Sequence, residues 1–468
     1  MKIFKYAVYS AAFAIALSSC KKDLDLSPTD DISEANAFRT LSDVQLAANG
    51  AYGRYSANIN TIYATSLVSD EAKLGKDNAG QGALTYRYQY SADATTGGDV
   101  IGAFAGFYSL IDQANRTLGA FDKITLLPGE EGRKNVLQGQ MLALRAIAHF
   151  EVLQGYAKNY DPADPLGLPY VVESNPVARP ARIPIGETVT KIENDLQAAY
   201  DLLPAVTAGN FTDTVMNRLN IDAYRARLAL YKRDYQKAID YATTVIGSGI
   251  RPLASGSAFA GIWTDNNTVS EVLFRTRLLN SSALGALYTT TSGLVYVAPS
   301  DKLVSSFDPN DIRLTSYIGF NGPDDYYVNK YYESSRGGRV VDLKNIRIAE
   351  MYLIRAEAYA KLTSPNITAA AADLNTLRAN RIAGYVDETF TSASDLITAI
   401  LEERFKELAF EGHRFYDLRR NNLPVQRNAS DVGSSAWQTL AAGNFRFVFP
   451  IPERELLSNP NMVPNDGY

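Results

Sequence analysis

Residues 219–246 read LNIDAYRARLALYKRDYQKAIDYATTVI, and this stretch decides the fold class. Small and aromatic residues recur at helical spacing in both arms: Ala223, Tyr224, Ala226 and Tyr231, then Tyr235, Ala238, Tyr241 and Ala242. Lys232-Arg233-Asp234 interrupts the period for one turn only, so the spacing predicts a helical hairpin over Leu219–Tyr231 and Tyr235–Ile246. Alanines let two helix backbones approach, and tyrosines fill the space beside them. The same grammar returns in Ile346 to Leu362 and Ala369 to Ile382, with Ala356, Ala358, Tyr359 and Ala360. The intervals are irregular, which excludes a regular solenoid and predicts scattered tetratricopeptide-like helix pairs.

Outward from the hairpin, helical periodicity covers about 33–55, 101–160, 186–247 and 345–420. Phe104, Phe107, Tyr108, Ile111 and Leu118 mark one helix, and Leu137, Met141, Leu144, Ile147 and Leu153 mark the next. The Pro-rich segment from Asp161 to Pro184 cannot continue a helix and is a long connection. Two stretches break the pattern. Residues 56–100 carry Gly75, Gly80, Gly82, Gly97 and Gly98 with little periodicity, and 250–345 are rich in Gly, Ser, Asn, Asp and Tyr. Both read as loop-rich insertions, the second with short strands at Val272-Leu273-Phe274 and Leu294 to Val297. The class is mostly α, with an irregular half on a helical frame. Loops on a rigid frame are where binding residues gather.

The start of the chain sets its location. Lys2 and Lys5 precede the short apolar run Val8 to Leu17, and Leu17-Ser18-Ser19-Cys20 reads as a lipobox. Residues 1–19 are then a lipoprotein signal peptide, and 20–468 the mature chain and a single domain. Cys20 is the only cysteine, which places it as the acylated residue that anchors the chain in a membrane. With that thiol used, disulfides, thiolate metal sites and cysteine nucleophiles are excluded. The only histidines, His149 and His413, lie far apart, and no GxSxG, Walker or HExxH pattern occurs. Asp161 with Asp164, and Asp324 with Asp325, lack the spacing of a calcium loop, so neither metal nor other cofactor is expected. A formal charge of −5 without a basic run argues against nucleic acid.

Aromatic chemistry is better represented, with 29 tyrosines against 2 tryptophans. Sugar rings expose apolar C–H faces on which flat side chains stack, while a phenol reaches a neighbouring oxygen. Tyr86, Tyr88 and Tyr90, close after Asp70 and Glu71, suit such a platform; alternate tyrosines equally suit the edge of a core. Tyr296, Tyr326 and Tyr327 form a second group in the long insertion, Trp263 is a candidate for exposure, and Trp437 sits in a late loop. Glu403, Glu407 and Glu411 share one helical stripe. Two carboxylates can serve a glycosidase, but Arg404, Lys406 and Arg414 alongside point to a salt-bridged network.

Several segments together resemble the RagB/SusD family of outer-membrane nutrient-uptake lipoproteins. They are Asp25 to Pro28, Phe107 to Asn115, Gly139 to Phe150, Lys191 to Pro204, Asn345 to Glu350 with Arg355 to Ala358, Glu402 to Arg419, and the closing Phe449 to Pro452 and Asn459 to Tyr468. The resemblance implies a SusD-like helical scaffold with a loop-rich ligand face, lipid-anchored at the surface of a Bacteroidetes outer membrane. It implies capture of an oligosaccharide, or in RagB-like branches a peptide, and delivery to a SusC-like TonB-dependent transporter, without catalysis. By family position Asp70, Tyr86, Tyr88 and Tyr90 fall on one wall of the ligand site, and Tyr296 and Tyr326 on the other. A glycan-cleaving enzyme and a pure interaction scaffold are the rival readings.

Overall fold

The computed structural model describes residues 37–266, 270–279, 284–322 and 325–468. Cys20 and the lipobox lie outside them. The fold is mostly α. The helices used below are α1 (Leu41–Arg54), α2 (Asn58–Val68), α3 (Ala94–Ala120), α4 (Glu131–Tyr156), α5 (Ile185–Leu202), α6 (Arg218–Tyr231), α7 (Tyr235–Gly247), α8 (Ile348–Lys361), α9 (Ile367–Ala379), α10 (Ala393–Glu407) and α11 (Arg414–Arg420). From α3 to α9 each helix packs on the next, so the pairs α4–α5, α6–α7 and α8–α9 form a curved row. The hairpin predicted at 219–246 is α6–α7. Asn217 caps α6 through the backbone amides of Leu219 and Asn220, and Arg233 makes the turn at φ 65°. Ala223, Ala226, Ala238 and Ala242 are buried, as close approach of the two helices requires.

Short antiparallel ribbons fill the irregular half: β1 (Ala72–Leu74) with β3 (Val297–Pro299), β2 (Val272–Thr276) with β6 (Leu343–Arg347), and β4 (Ile318–Gly322) with β5 (Asp325–Val328). One hydrophobic core runs along the helix pairs. A second is built by Ile62, Leu67, Phe259, Trp263, Tyr288, Tyr317, Tyr331 and Phe410. Trp263 is therefore core, with the Lys330 ammonium 4.1 Å from its ring centroid, and not an exposed platform.

The stretch 56–100 is more helical than its sequence suggests. α2 is buried on nearly every side, so it lacks an amphipathic period. Its polar residues satisfy themselves within the helix: Thr65 Oγ1 donates to the Thr61 carbonyl at 2.7 Å, and Ser66 Oγ to that of Ile62 at 2.8 Å. α3 begins at Ala94, where Asp93 accepts from the amides of Thr95 and Thr96. Gly97 is inside this helix because a Cβ there would lie 1.9 Å from the Ser91 carbonyl oxygen. Close approach, not a loop, is what that glycine serves.

A buried ion network joins the two halves. Glu407 accepts from Arg313 (3.0 Å), Arg347 (2.8 Å) and Arg381 (2.9 Å), while Glu403 accepts from Arg313 (2.6 Å) and Arg378 (2.7 Å). Glu411 pairs with Arg347 and Lys330, and Glu271 with Arg347 and Arg381. Burial alone would raise the Glu407 carboxyl, but Arg381, Arg347 and Arg313 hold it well below the usual range. These carboxylates are anions enclosed by guanidinium groups, which leaves neither Glu403 nor Glu407 free to trade a proton with a glycosidic oxygen.

Candidate functional site

The three tyrosines proposed as a platform face inward. Tyr86 is 1% exposed, and its hydroxyl donates to the Asp431 carbonyl at 2.7 Å. Tyr88 donates to the Val68 carbonyl at 3.2 Å, and Tyr90 to that of Arg446. The Arg427 guanidinium covers the Tyr86 ring at 3.8 Å. Burial pushes the Tyr86 phenol up to about 12. Tyr88 and Tyr90 are buried among protein neighbours, and Tyr86 reaches the wall of the cleft described below with only 1% of its surface exposed. Asp70 is also structural: its carboxylate accepts from Arg414 at 2.7 and 2.8 Å and from Lys302 at 2.6 Å. Burial opposes its charge, yet the two cations hold its carboxyl down to about 2. What these residues do is fasten the 56–100 region to the C-terminal segment.

The long insertion fares differently. Tyr296 is half-buried, and its carbonyl accepts from the Gly75 amide (2.9 Å) and Asn78 Nδ2 (2.8 Å). Tyr326 lies on a cleft of about 480 Å³ between β1, β3, β5 and the loop 430–437. The ribbon β4–β5 sets Tyr326 opposite Phe320, the rings meeting edge to face at 5.4 Å. Gly75 closes the end of β1 against the insertion, where a Cβ would sit 2.2 Å from the Val295 carbonyl oxygen.

Around Tyr326 the cleft gathers Lys73, Lys76, Arg87 and Trp437 from three distant segments. Lys73 pairs with Asp301, and its ammonium lies 5.4 Å from the Tyr326 ring centroid. Lys76 is 3.4 Å from Asp77 and 3.8 Å from Asp325. Asp431 turns its carboxylate to the backbone amides of Asp301 (2.6 Å) and Lys302 (3.4 Å). The Arg87 guanidinium lies 4.6 Å from the Trp437 ring centroid. Trp437 is partly exposed, and its backbone carbonyl accepts from Arg427 at 2.8 Å, which fixes the loop that carries it. Planar faces, ammonium groups and a guanidinium thus converge on one opening. That combination can stack on a ring and hydrogen-bond its substituents.

A larger hollow of about 860 Å³ lies at the other side, between 158–166 and 443–448. Its walls mix Asn, Asp, Lys and Arg with Leu166, Leu423 and Val448, and of its two phenylalanines Phe447 is buried and Phe445 is 38% exposed. It presents one exposed aromatic ring, Phe445, where the cleft has two partly exposed ones, Tyr326 and Trp437. Of the histidines, His149 is fully buried, its Nδ1 against the Arg145 carbonyl and its Nε2 accepting from the Val171 amide. Burial lowers its pKa to about 3, so it stays neutral.

Of the residues singled out in the sequence, Tyr86 and Tyr326 line this cleft, while Arg87, Lys73 and Lys76 were not singled out. It placed Trp437 in a late loop without a partner. The one signal in the sequence was that Arg87 alternates with Tyr86 and Tyr88 and so points to the opposite side from them.

Comparison with known proteins agrees with this architecture. Residues 23–230 match a family described as starch-binding and associating with the outer membrane, and residues 315–468 match the SusD family. SusD-like protein P2 of Formosa agariphila is 26% identical over 99% of this chain and all of that protein. A putative sugar binding protein from Bacteroides vulgatus is 26% identical and superimposes with a TM-score of 0.78, covering 92% of this chain and 99% of its own. A SusD superfamily protein from Bacteroides thetaiotaomicron shares the fold at a TM-score of 0.80, with 24% identity over 91% of this chain and 99% of that one. Helix pairs, ribbons and these matches together support a SusD/RagB family protein.

Proposed function

We propose that this chain is a surface lipoprotein of the outer membrane that captures an extracellular oligosaccharide and delivers it to a SusC-like TonB-dependent transporter. The observation that carries this reading is the cleft where Trp437, Tyr326 and Arg87 meet. A family described as starch-binding and a relative described as a putative sugar binding protein favour a carbohydrate over a peptide. Binding is by stacking and a few hydrogen bonds, followed by release. Modest affinity suits a delivery step, because a ligand held too tightly is not passed on. Acylated Cys20 supplies the anchor, and the helix pairs supply the frame.

Calorimetry on the chain begun after Cys20, against oligosaccharides and peptides, tests the reading. Trp437→Ala and Tyr326→Ala each remove a planar face worth roughly 1 kcal/mol, so glycan affinity is expected to fall about fivefold or more. Binding of peptides alone would move the protein to a RagB-like role. No binding of either would leave an interaction scaffold. For the anchor, Cys20→Ala is expected to abolish incorporation of labelled palmitate and release the protein from membranes; unchanged retention would refute the lipobox.

A further inference from the structure

Arg87 is exceptional among the arginines of this region. Arg414 is paired with Asp70, and Arg427 donates to the carbonyls of Ser69, Tyr86, Leu67 and Trp437. Arg446 donates to the Tyr90 carbonyl at 2.7 Å. The Arg87 guanidinium lines the cleft with neither ion pair nor hydrogen bond among the described residues, and its Nε is buried without an acceptor. Its one contact of this kind is the face of Trp437. The other charges of the cleft are already engaged: Lys73 by Asp301, Lys76 by Asp77 and Asp325, and Asp431 by two backbone amides.

The backbone holds this guanidinium in place. A short helix, Ala83–Tyr86, ends at Arg87, and Tyr88 follows at φ 58°, a left-handed conformation uncommon for an aromatic residue. Tyr86 and Tyr88 are both buried and hydrogen-bonded, which enforces the turn and leaves Arg87 on the cleft side. Strain of this kind persists where surrounding packing over-determines it. The result is a flat cation on a tryptophan face, with unused donors in fork geometry. Such a fork matches the oxygens of a carboxylate or sulfate, and a neutral hydroxyl uses it poorly.

We propose that the cleft selects an acidic oligosaccharide, with Arg87 reading a uronate carboxylate or a sulfate while Trp437 and Tyr326 receive the sugar rings. This rests on the cleft being the ligand site. The test is calorimetry with neutral malto- and cellohexaose against oligogalacturonate, oligoalginate and sulfated galactan of similar length, with hexaglutamate as a peptide carrying the same charge. Wild type is compared with Arg87→Gln, Arg87→Lys and Trp437→Ala, at low and high salt.

The expected result is an acidic glycan bound about tenfold or more tighter than neutral ones, a preference that Arg87→Gln erases, Arg87→Lys keeps in part, and salt weakens. Which acidic glycans bind separates carboxylate from sulfate. Neutral glycans bound as tightly, lost in Trp437→Ala but not in Arg87→Gln, would overturn the acidic preference while leaving the site in place. Glycan binding untouched by Trp437→Ala would overturn the site itself and this proposal with it, as would no glycan binding at all. Hexaglutamate bound in preference to every glycan would overturn the saccharide assignment.

Discussion

Glu71 shows how far a single side chain departs from its ordinary chemistry in this fold. It is fully buried beside Asp70, and burial pushes its carboxyl up from 4.5 to about 7. A carboxyl raised on folding costs stability as pH climbs from its unfolded value through the folded one, and below the unfolded value the cost is absent. Glu71→Gln is therefore expected to stabilise the protein at pH 8 by up to about 3 kcal/mol and to do little near pH 4.5, read as the pH dependence of Tm. Asp70 has the opposite sign. Its carboxyl sits at about 2, so the pairing with Arg414 and Lys302 is intact at neutral pH and is lost as pH falls from 3.8 toward 2. The same residue scale explains why the tyrosine triplet misleads. Alternation says that 86, 88 and 90 share a side and cannot say which side, because their acceptors at Asp431, Val68 and Arg446 are supplied by other segments.

At the scale of elements, periodicity works where a helix has one wet face. α5 and α7 are of that kind, with apolar stripes at Val189, Ile192 and Leu196, and at Ala238, Ala242 and Val245. α2 has no wet face, so its polar residues read as loop. Gly97 offers a test that separates propensity from packing. In a helix interior Gly→Ala usually gains about 1 kcal/mol. Here the added carbon meets the Ser91 carbonyl, so Gly97→Ala is expected to destabilise by about 1–3 kcal/mol in chemical denaturation, the range for overpacking. A stabilised variant would show that the 91–97 segment moves freely.

Across the whole molecule the ion network has the largest consequence. It connects Glu403 and Glu407 of α10, Glu411 beyond it and Arg381 just after α9 to Arg313, Lys330, Arg347 and Glu271 in the irregular half. Removing one partner leaves buried charge uncompensated, a loss of about 3–5 kcal/mol in comparable pairs. Glu407→Gln is expected to lower stability by that order. Because the network joins both cores, we expect the mature chain to unfold as one unit, with helix loss by circular dichroism coinciding with the emission change of buried Trp263. Two separated transitions would show that the halves are independent domains.

What the chain determined by itself is what depends on local order: helix pairs at 219–246 and 346–382, and a salt-bridged stripe at Glu403 to Glu411. Each is legible because period, spacing and composition act between residues a few positions apart. The cleft is of another kind. Lys73 and Arg87 lie far along the chain from Tyr326 and Trp437, and the ribbons β1–β3 and β4–β5, with the loop held by Arg427, bring them together. Which aromatic rings face solvent, and which arginine is left without an anion, were decided only by the tertiary structure, because burial and charge pairing are properties of neighbours in space.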